Sequence, residues 1–142
     1  MSDWKTQFYK TNVQPYEKYE ILAADKIKKI YNKEIENLLD ENNGNKYDFI
    51  CDNIKYEVKC DIASIKYSNF FIEYFGYSKP SGIAITQSNY YIITDAENDY
   101  LIETDKLKEL CNIHGTLKTT KNKTTIGYVI NKNIVISNSK II

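Results

Sequence analysis

Arginine is absent from this chain of 142 residues, whose cationic side chains are all lysine. Paired hydrogen bonding of arginine to guanine, the commonest specific contact in the major groove of DNA, is therefore excluded. The formal net charge is +0, whereas proteins that hold nucleic acid through many phosphate contacts are usually basic. The composition thus argues against a large non-specific footprint on DNA. Any DNA binding would depend on the shape of the duplex more than on base sequence.

Histidine and cysteine are also scarce. The single histidine, His114, cannot build a zinc site or a histidine-based catalytic triad. Cys51, Cys60 and Cys111 lack metal-ligand spacing, and their odd number indicates small buried thiols in a reducing compartment. The sequence shows no signal peptide and no membrane-spanning run. We therefore expect an intracellular protein, in the cytoplasm or inside the host cell if viral, without a membrane partner.

The hydrophobic pattern predicts a single domain over residues 1–142 with mixed secondary structure. Apolar residues at helical spacing predict a helix from Gln14 to Leu39, opened by Pro15. After it, the predicted elements of the amino-terminal part are three strands, a short crossover helix and a further strand: Tyr47–Cys51, Ile54–Asp61, Asn69–Phe75, a helix beginning at Lys79–Gly82, and Tyr90–Thr94. This αβββαβ order predicts an α/β (α+β) fold, with a mixed sheet flanked by helices.

The carboxyl-terminal part is predicted to add a helix and a hairpin. Strand Tyr100–Glu103 leads into a helix from Asp105 to Asn112, with Thr104 as its cap. A loop from Thr116 to Lys123 follows. The last predicted elements are the two strands of the hairpin, Thr125–Ile130 and Ile134–Ser137.

The most informative stretch runs from Asp48 to Asp61 and reads as a tight β-hairpin. Alternation along its second strand places Glu57 and Lys59 on one face and Tyr56 and Val58 on the other. Asp48, on the first strand, faces the Glu57 and Lys59 pair. Two carboxylates can hold Mg²⁺, and a lysine can position an attacking water, which are the parts needed for metal-assisted phosphodiester hydrolysis. The alternative is a half-exposed hairpin with a solvated Glu/Lys face.

Asp48 followed by Glu57-Val58-Lys59 resembles the motif of the PD-(D/E)XK nuclease superfamily, with Tyr47 where the motif has proline. Segments around Asn69–Tyr74, Lys79–Ile83 and Asn89–Ile93 resemble its small viral and phage branch, which is similar to Holliday junction resolvases. The likeness extends from about Tyr16 to Asp95. It implies a restriction-endonuclease-like core, with the carboxyl-terminal helix and hairpin added to it.

The resemblance also implies roles for individual residues. Asp48, Glu57, Lys59 and Glu20 would form the catalytic group. Asp48, Glu57 and the backbone carbonyl of Val58 would bind Mg²⁺, for which Mn²⁺ can substitute. Glu20 on the first helix is the candidate for a further ligand, and Glu17, one turn earlier, is the alternative. Lys59 would orient the attacking water or stabilise the pentacovalent phosphate.

Candidate DNA contacts lie outside the hairpin. Lys79 and Ser81 precede the predicted crossover helix, whose N-terminal amides could bind a phosphate, although turn chemistry alone also explains these residues. Glu73 shares a strand face with Phe71 and could reach the site or DNA, or could simply point outward. The remaining candidates form a basic, threonine-rich loop that could equally be a solvated surface: Lys118, Lys121 and Lys123.

Four functions remain open from the sequence. The resemblance favours a Mg²⁺-dependent deoxyribonuclease that acts on branched DNA, and such a junction would suit a homodimer because it has near two-fold symmetry. A restriction- or repair-type endonuclease is the second possibility. A non-catalytic DNA- or protein-binding module on the same fold is the third, and an unrelated α+β interaction protein is the fourth.

Overall fold

The protein is described by a computed structural model over residues 17–39 and 46–142. Three α-helices are found in these ranges: α1 (Glu17–Tyr31), α2 (Thr104–His114) and α3 (Lys132–Ser137). The strands of the amino-terminal half are β1 (Ile35–Glu36), β2 (Phe49–Cys51), β3 (Ile54–Cys60), β4 (Asn69–Gly76) and β5 (Lys79–Pro80). The later strands are β6 (Tyr90–Thr94), β7 (Asp99–Glu103), β8 (Thr116–Thr119), β9 (Thr125–Asn131) and β10 (Lys140–Ile141).

The described strands form two sheets. The first sheet has six strands in the order β1-β2-β3-β6-β7-β10, with β3 parallel to β6 and the other pairs antiparallel. The second has four antiparallel strands in the order β5-β4-β9-β8. The predicted mixed sheet and α+β class are therefore confirmed, and Tyr90–Thr94 is a strand as predicted, which lies parallel to the Glu-Val-Lys strand.

Helix α1 covers one face of the six-stranded sheet. Its buried residues Ala23, Ala24 and Ile27 recur at helical spacing and pack against side chains of the sheet. The sheet residues in this cluster are Phe49, Cys51, Tyr56, Ile92 and Leu101. The rings of Phe49 and Tyr56 stack with centroids 4.9 Å apart, which fixes the hairpin of β2 and β3 beneath the helix.

The opposite face of the six-stranded sheet packs against the second sheet and the two later helices. Tyr91 and Ile93 of β6 meet Phe70 and Ile72 of β4 in one buried cluster. Helices α2 and α3 close the same cluster with Leu107, Leu110, Cys111 and Val135. The space between the two sheets is therefore the larger core, and a polar side chain that points into it must be paired or functional.

The third predicted strand does not join the central sheet. Strand β4 instead pairs with β9 in the second sheet, and β6 takes the place beside β3. The alternation in residues 69–76 fits either sheet, because period-two patterning identifies a strand and not its partner. The observed elements therefore match the predicted αβββαβ core only in part, because the third strand belongs to the second sheet and not to the central one.

Both helices predicted in the amino-terminal part are shorter in the structure than the sequence indicated. Helix α1 ends at Tyr31 because Asn32 adopts a left-handed conformation with φ of 53°, and Ile35 then begins strand β1. Residues 14–16 of the predicted helix, including Pro15, lie outside the described residues. The crossover helix is only a 3₁₀ turn over Gly82–Ala84. It therefore lacks the row of free amides that an α-helix would present to a phosphate.

Three predictions near the carboxyl end were also wrong. Thr104 is the first residue of α2 instead of its cap, and its buried hydroxyl lies 3.0 Å from that of Ser88. Residues 134–137 belong to helix α3, which Asn131 caps by accepting a hydrogen bond from the N–H of Asn133. The run of β-branched residues suggested a strand, but burial of Val135 in the core favours the helix. The hairpin at this end is formed by β8 and β9, so residues 116–119 are a strand within the predicted loop.

The three cysteines are free thiols, as predicted, with Cys51 and Cys111 buried. None of the helices described here is long and apolar enough to cross a membrane.

Candidate active site

Strand β3 presents its charged residues toward the second sheet. In the parallel register Glu57 pairs with Tyr91 and Lys59 with Ile93, and both β6 partners belong to the core between the sheets. Tyr56 belongs to the cluster under α1, and Val58 packs against it. The predicted alternation of the two faces is therefore confirmed, and Glu57 and Lys59 stand side by side on the inner face.

Asp48 lies where the hydrogen-bonding pattern between β2 and β3 becomes irregular. Phe49 is the register partner of Tyr56, yet the N–H of Asp48 also donates to the Tyr56 carbonyl, at 2.7 Å. Two consecutive residues thus oppose one, which is the arrangement of a β-bulge and redirects a side chain. The Asp48 carboxylate accepts a 2.6 Å hydrogen bond from the N–H of Val58. Asp48 is thereby fixed against the strand that carries Glu57 and Lys59.

The backbone of Val58 faces Asp48 as well. The N–H and C=O of one strand residue point toward the same neighbour. Because the Val58 N–H meets Asp48, its carbonyl is directed to the same side, beyond the start of β2 at Phe49. The predicted backbone ligand is therefore on the correct side of the strand.

The side chains of Asp48 and Glu57 lie close enough to share a hydrogen bond, which is one cause of the raised pKa of Glu57. Two carboxyl groups can do this only if one of them carries a proton. Burial, the hydrogen bond to Asp48 and the negative charges of Asp48 and Glu20 together raise the pKa of Glu57 to about 10, with Lys59 opposing the shift. The pair thus concentrates negative charge in a poorly solvated place.

Glu20 is the residue of helix α1 that interacts electrostatically with both Asp48 and Glu57. Burial, followed by the charges of Asp48 and Glu17, raises the pKa of Glu20 to about 8. Glu20 in turn acts on Glu57, and Glu17 is not among the groups that do so. Of the two predicted alternatives, Glu20 is therefore the one whose charge acts on Glu57, and it shares a helix side with Ala24 and Ile27.

Lys59 is half-buried, and in the described part of the chain its ammonium group makes neither a hydrogen bond nor an ion pair within 4.0 Å. Its charge still acts on Glu57. Lys59 is therefore held near carboxylates without being neutralised by any of them, a state suited to an incoming anion.

Two adjoining cavities open beside Lys59. One, of about 200 Å³, is lined in part by Glu57, Lys59, Glu73 and Tyr91. The other, of about 300 Å³, is lined in part by Lys59, Asp61, Glu73 and two threonines, Thr120 and Thr125. Lys59 and Glu73 line both cavities and so stand between them. The predicted reach of Glu73 toward the site is consistent with this position, which it shares with Phe71 on the wall of the larger cavity.

Sequence reasoning missed two residues of these walls. Asp61 continues the alternation of Glu57 and Lys59, so a signal for it was present, and its carboxylate accepts a 2.9 Å hydrogen bond from the N–H of Phe71. Tyr91 is the register partner of Glu57 on the parallel strand. Burial, with the charge of Glu57, raises the pKa of its hydroxyl group. No local pattern could have identified Tyr91, because its role depends on a pairing across 34 positions of sequence.

The predicted DNA contacts are dispersed. Lys79 is exposed on β5, and Ser81 begins the 3₁₀ turn, with a buried Oγ that has no hydrogen-bond partner in the described structure. Lys118 is exposed on β8. Lys121 and Lys123 are exposed in the turn between β8 and β9, next to Thr120 and Thr125 of the larger cavity. Only Lys121 and Lys123 of these lysines lie beside the cavity that contains Lys59.

The donor set matches a hard divalent cation in kind. Asp48 and Glu57 supply carboxylate oxygens, and Mg²⁺ keeps several waters, so that few protein ligands are required. Across residues 17–39 and 46–142, no group of three or more histidine, cysteine or acidic side chains is already arranged around a cation position. Asp48 and Glu57 therefore stand as a pair of neighbouring carboxyl groups, without a third such ligand arranged beside them in the described residues.

Comparison with known proteins found no matching family model, no matching curated protein and no matching solved structure.

Proposed function

We propose that this chain is a metal-dependent endonuclease that hydrolyses phosphodiester bonds in DNA. The observation that supports it best is the junction of Asp48, Glu57 and Lys59. The two carboxyl groups meet each other, and the unpaired ammonium group stands on the same strand face beside open cavities. The resemblance of this hairpin to the PD-(D/E)XK motif points to the same chemistry.

Each residue has a role that follows from its position. Asp48 and Glu57 would hold Mg²⁺ or Mn²⁺, with the Val58 carbonyl directed to the same side and Glu20 adding charge from α1. When bound, the metal would supply stabilisation of the negative charge that develops on the phosphate. Lys59 would bind a non-bridging phosphate oxygen or orient the attacking water, because the N–H donors of its ammonium group are not engaged in other hydrogen bonds among the described residues.

A shape-selective substrate fits the composition. The chain has no arginine and no net charge, so neither guanine readout nor a wide electrostatic footprint supports sequence-specific binding. Branched DNA, such as a four-way junction, offers shape instead. A homodimer would place two such sites on the two equivalent strands of a junction.

The direct test is cleavage by purified protein of a labelled four-way junction, a linear duplex and a single strand of the same sequence. Each reaction is run with Mg²⁺, Mn²⁺, Ca²⁺ or EDTA. We expect cutting with Mg²⁺ or Mn²⁺, none with EDTA, and a preference for the junction. The Lys59→Ala protein should lose the activity, and light scattering with and without junction DNA reports the oligomeric state.

Lys66→Ala is the matched control, since Lys66 is an exposed lysine in the segment just after β3. It should cleave like the unchanged protein. Equal cutting of junction and duplex would favour a restriction- or repair-type endonuclease. Metal-independent binding without cutting, in folded protein, would replace the proposal with a binding module.

A further inference from the structure

The hairpin that joins β4 to β5 has an unusual turn sequence for its shape. Gly76 pairs with Lys79, so the connection has two residues, Tyr77 and Ser78. Both have positive φ, 51° and 66°. Two-residue turns with positive φ at both positions strongly prefer asparagine, aspartate or glycine, because other side chains are strained there.

The same chain uses the preferred residues elsewhere. The turn between β2 and β3 also has two residues with positive φ, and they are Asp52 and Asn53. The fold therefore accommodates the favourable sequence at one such turn and carries tyrosine and serine at the other. Strain of this kind persists where the residue has another task.

Tyr77 is placed for contact with a partner. It is 78% exposed, the highest value among the large hydrophobic residues described. In the described structure its ring has no aromatic or cationic neighbour. A tyrosine held out of the core by a rigid two-residue turn offers a flat apolar surface that loses little entropy on contact.

Lysine residues occur in the two chain segments that meet at this turn. Lys79 follows it directly and is exposed. The N–H of Tyr77 donates a 2.9 Å hydrogen bond to the carbonyl of Thr124, which attaches the tyrosine to the turn that carries Lys121 and Lys123. An aromatic ring on a turn that adjoins lysine-bearing segments is a combination that can bind a nucleotide, with the ring against the base and the ammonium groups reaching the phosphates on either side.

The turn is also continuous with the proposed active site. Gly76 pairs with Thr125, and Thr125 lines the 300 Å³ cavity together with Lys59 and Glu73. A strand whose phosphate lies at Lys59 can therefore follow this cavity toward Thr120 and Thr125 and leave it beside Tyr77. An unpaired base suits this point, because a base inside a duplex has no free face for stacking.

Resting on the proposed function, we propose that Tyr77 stacks on an unpaired nucleotide of the DNA substrate, while Lys79, Lys121 and Lys123 hold the adjoining phosphates. The enzyme would thereby select DNA with an extruded or single-stranded base near the cleaved bond. This names the structural feature of DNA that the chain recognises and the residues that recognise it.

The test measures binding in Ca²⁺ by fluorescence anisotropy, with a duplex that carries one unpaired base and an otherwise identical paired duplex. Four proteins are compared: unchanged, Tyr77→Phe, Tyr77→Ala, and the double variant Tyr77→Asn with Ser78→Gly. We expect the unpaired base to be preferred and Tyr77→Phe to keep the preference. Tyr77→Ala should weaken binding to the unpaired substrate by about 5- to 100-fold, the usual range for loss of one stacked base.

The double variant separates binding from folding. It installs the asparagine-glycine sequence that this turn shape prefers, so its Tm should rise while the preference for the unpaired base disappears. Retained preference in this variant would overturn the inference. A further double variant, Lys121→Gln with Lys123→Gln, should weaken binding to both DNAs and lower the dependence of the affinity on salt concentration.

Failure of this inference and of the proposed function give different results. Lys59-dependent cleavage with no effect of Tyr77→Ala on substrate preference would remove the stacking role and leave the endonuclease. Absence of both cleavage and DNA binding in the unchanged protein would overturn both.

Discussion

The N–H of Val58 donates a 2.6 Å hydrogen bond to Oδ2 of Asp48. This bond attaches the Asp48 side chain to the backbone of β3 between Glu57 and Lys59. The contact makes Asp48 both a structural acceptor and a charged group of the site. The two properties can be separated by substitution, because an amide keeps the acceptor and removes the charge.

Asp48→Asn and Asp48→Ala should therefore differ in stability and agree in activity. Both lose the carboxylate and should lose metal-dependent cleavage. Only Asp48→Ala leaves the Val58 N–H without its acceptor, at a cost of about 1–3 kcal/mol relative to Asp48→Asn. Urea unfolding and a cleavage assay measure the two effects. Full cleavage by Asp48→Asn would contradict a role for this carboxylate in metal binding.

Glu57→Gln should stabilise the metal-free protein more at high pH than at low pH. The folded-state pKa of Glu57 is raised above the ordinary value of 4.5 to about 10. Below pH 4.5 the carboxyl group is protonated in both states. As pH rises above that value the unfolded chain ionises first, so its proton is lost while the folded protein keeps its own, and stability falls.

Glutamine is neutral throughout and can still donate to Asp48, so the variant avoids this loss. Between pH 5 and pH 8.5 in EDTA, the difference in unfolding free energy should change in favour of Glu57→Gln by more than about 1 kcal/mol. Titrating groups that do not interact with Glu57 occur in both proteins and cancel in the difference, whereas Asp48 and Glu20 contribute to it together with Glu57. An unchanged difference would show that Glu57 ionises normally in the folded state.

Gly127 and Phe71 should be energetically coupled. A Cβ at Gly127 would come to 2.1 Å from the Phe71 ring, which also lines the larger cavity. Gly127→Ala should therefore destabilise the protein by about 1–3 kcal/mol through overpacking. Phe71→Ala removes the obstacle, so the double variant should be more stable than the sum of the single effects predicts. Strict additivity in thermal unfolding would refute the contact.

Glu73→Gln should lower the cleavage rate with little change in Tm. Glu73 lines both cavities together with Lys59, so removing its negative charge should change the electrostatic environment of the ammonium group. We expect at least a tenfold lower kcat, with metal affinity unchanged, because the Asp48 and Glu57 pair is intact. Glu97→Gln, at an exposed residue away from these cavities, is the matched control. Equal rates for both variants would exclude Glu73 from the reaction.

The sequence predicted the parts of the molecule that depend on neighbouring residues. The β2–β3 hairpin, the two faces of β3 and the limits of β6 followed from alternation and turn residues. The choice of Glu20 as the helix acid came from helical spacing and the resemblance, and its role in the site stays a prediction. These features are decided within about ten residues, where periodicity is most informative.

Features decided by tertiary contacts were not predictable. Residues 69–76 alternate as a strand should, but pairing with β9 places them in the second sheet. Asn131-Lys132-Asn133 has the composition of a turn and also of a helix cap, and burial of Val135 selects the helix. Tyr91 enters the site only through the parallel register with Glu57.

Parallel pairing of β3 with β6 has a consequence for the time course of folding. The acids and the lysine of the site lie within the first 60 residues, but their inner face is closed by β4, β6 and the β8–β9 turn. Contacts between residues so distant in sequence form late, because a long loop must be closed first. During synthesis on the ribosome, the charged hairpin therefore exists before its cavity does. We expect the proposed endonuclease activity to be absent from a nascent chain until the segment around Thr125 has emerged and closed this face.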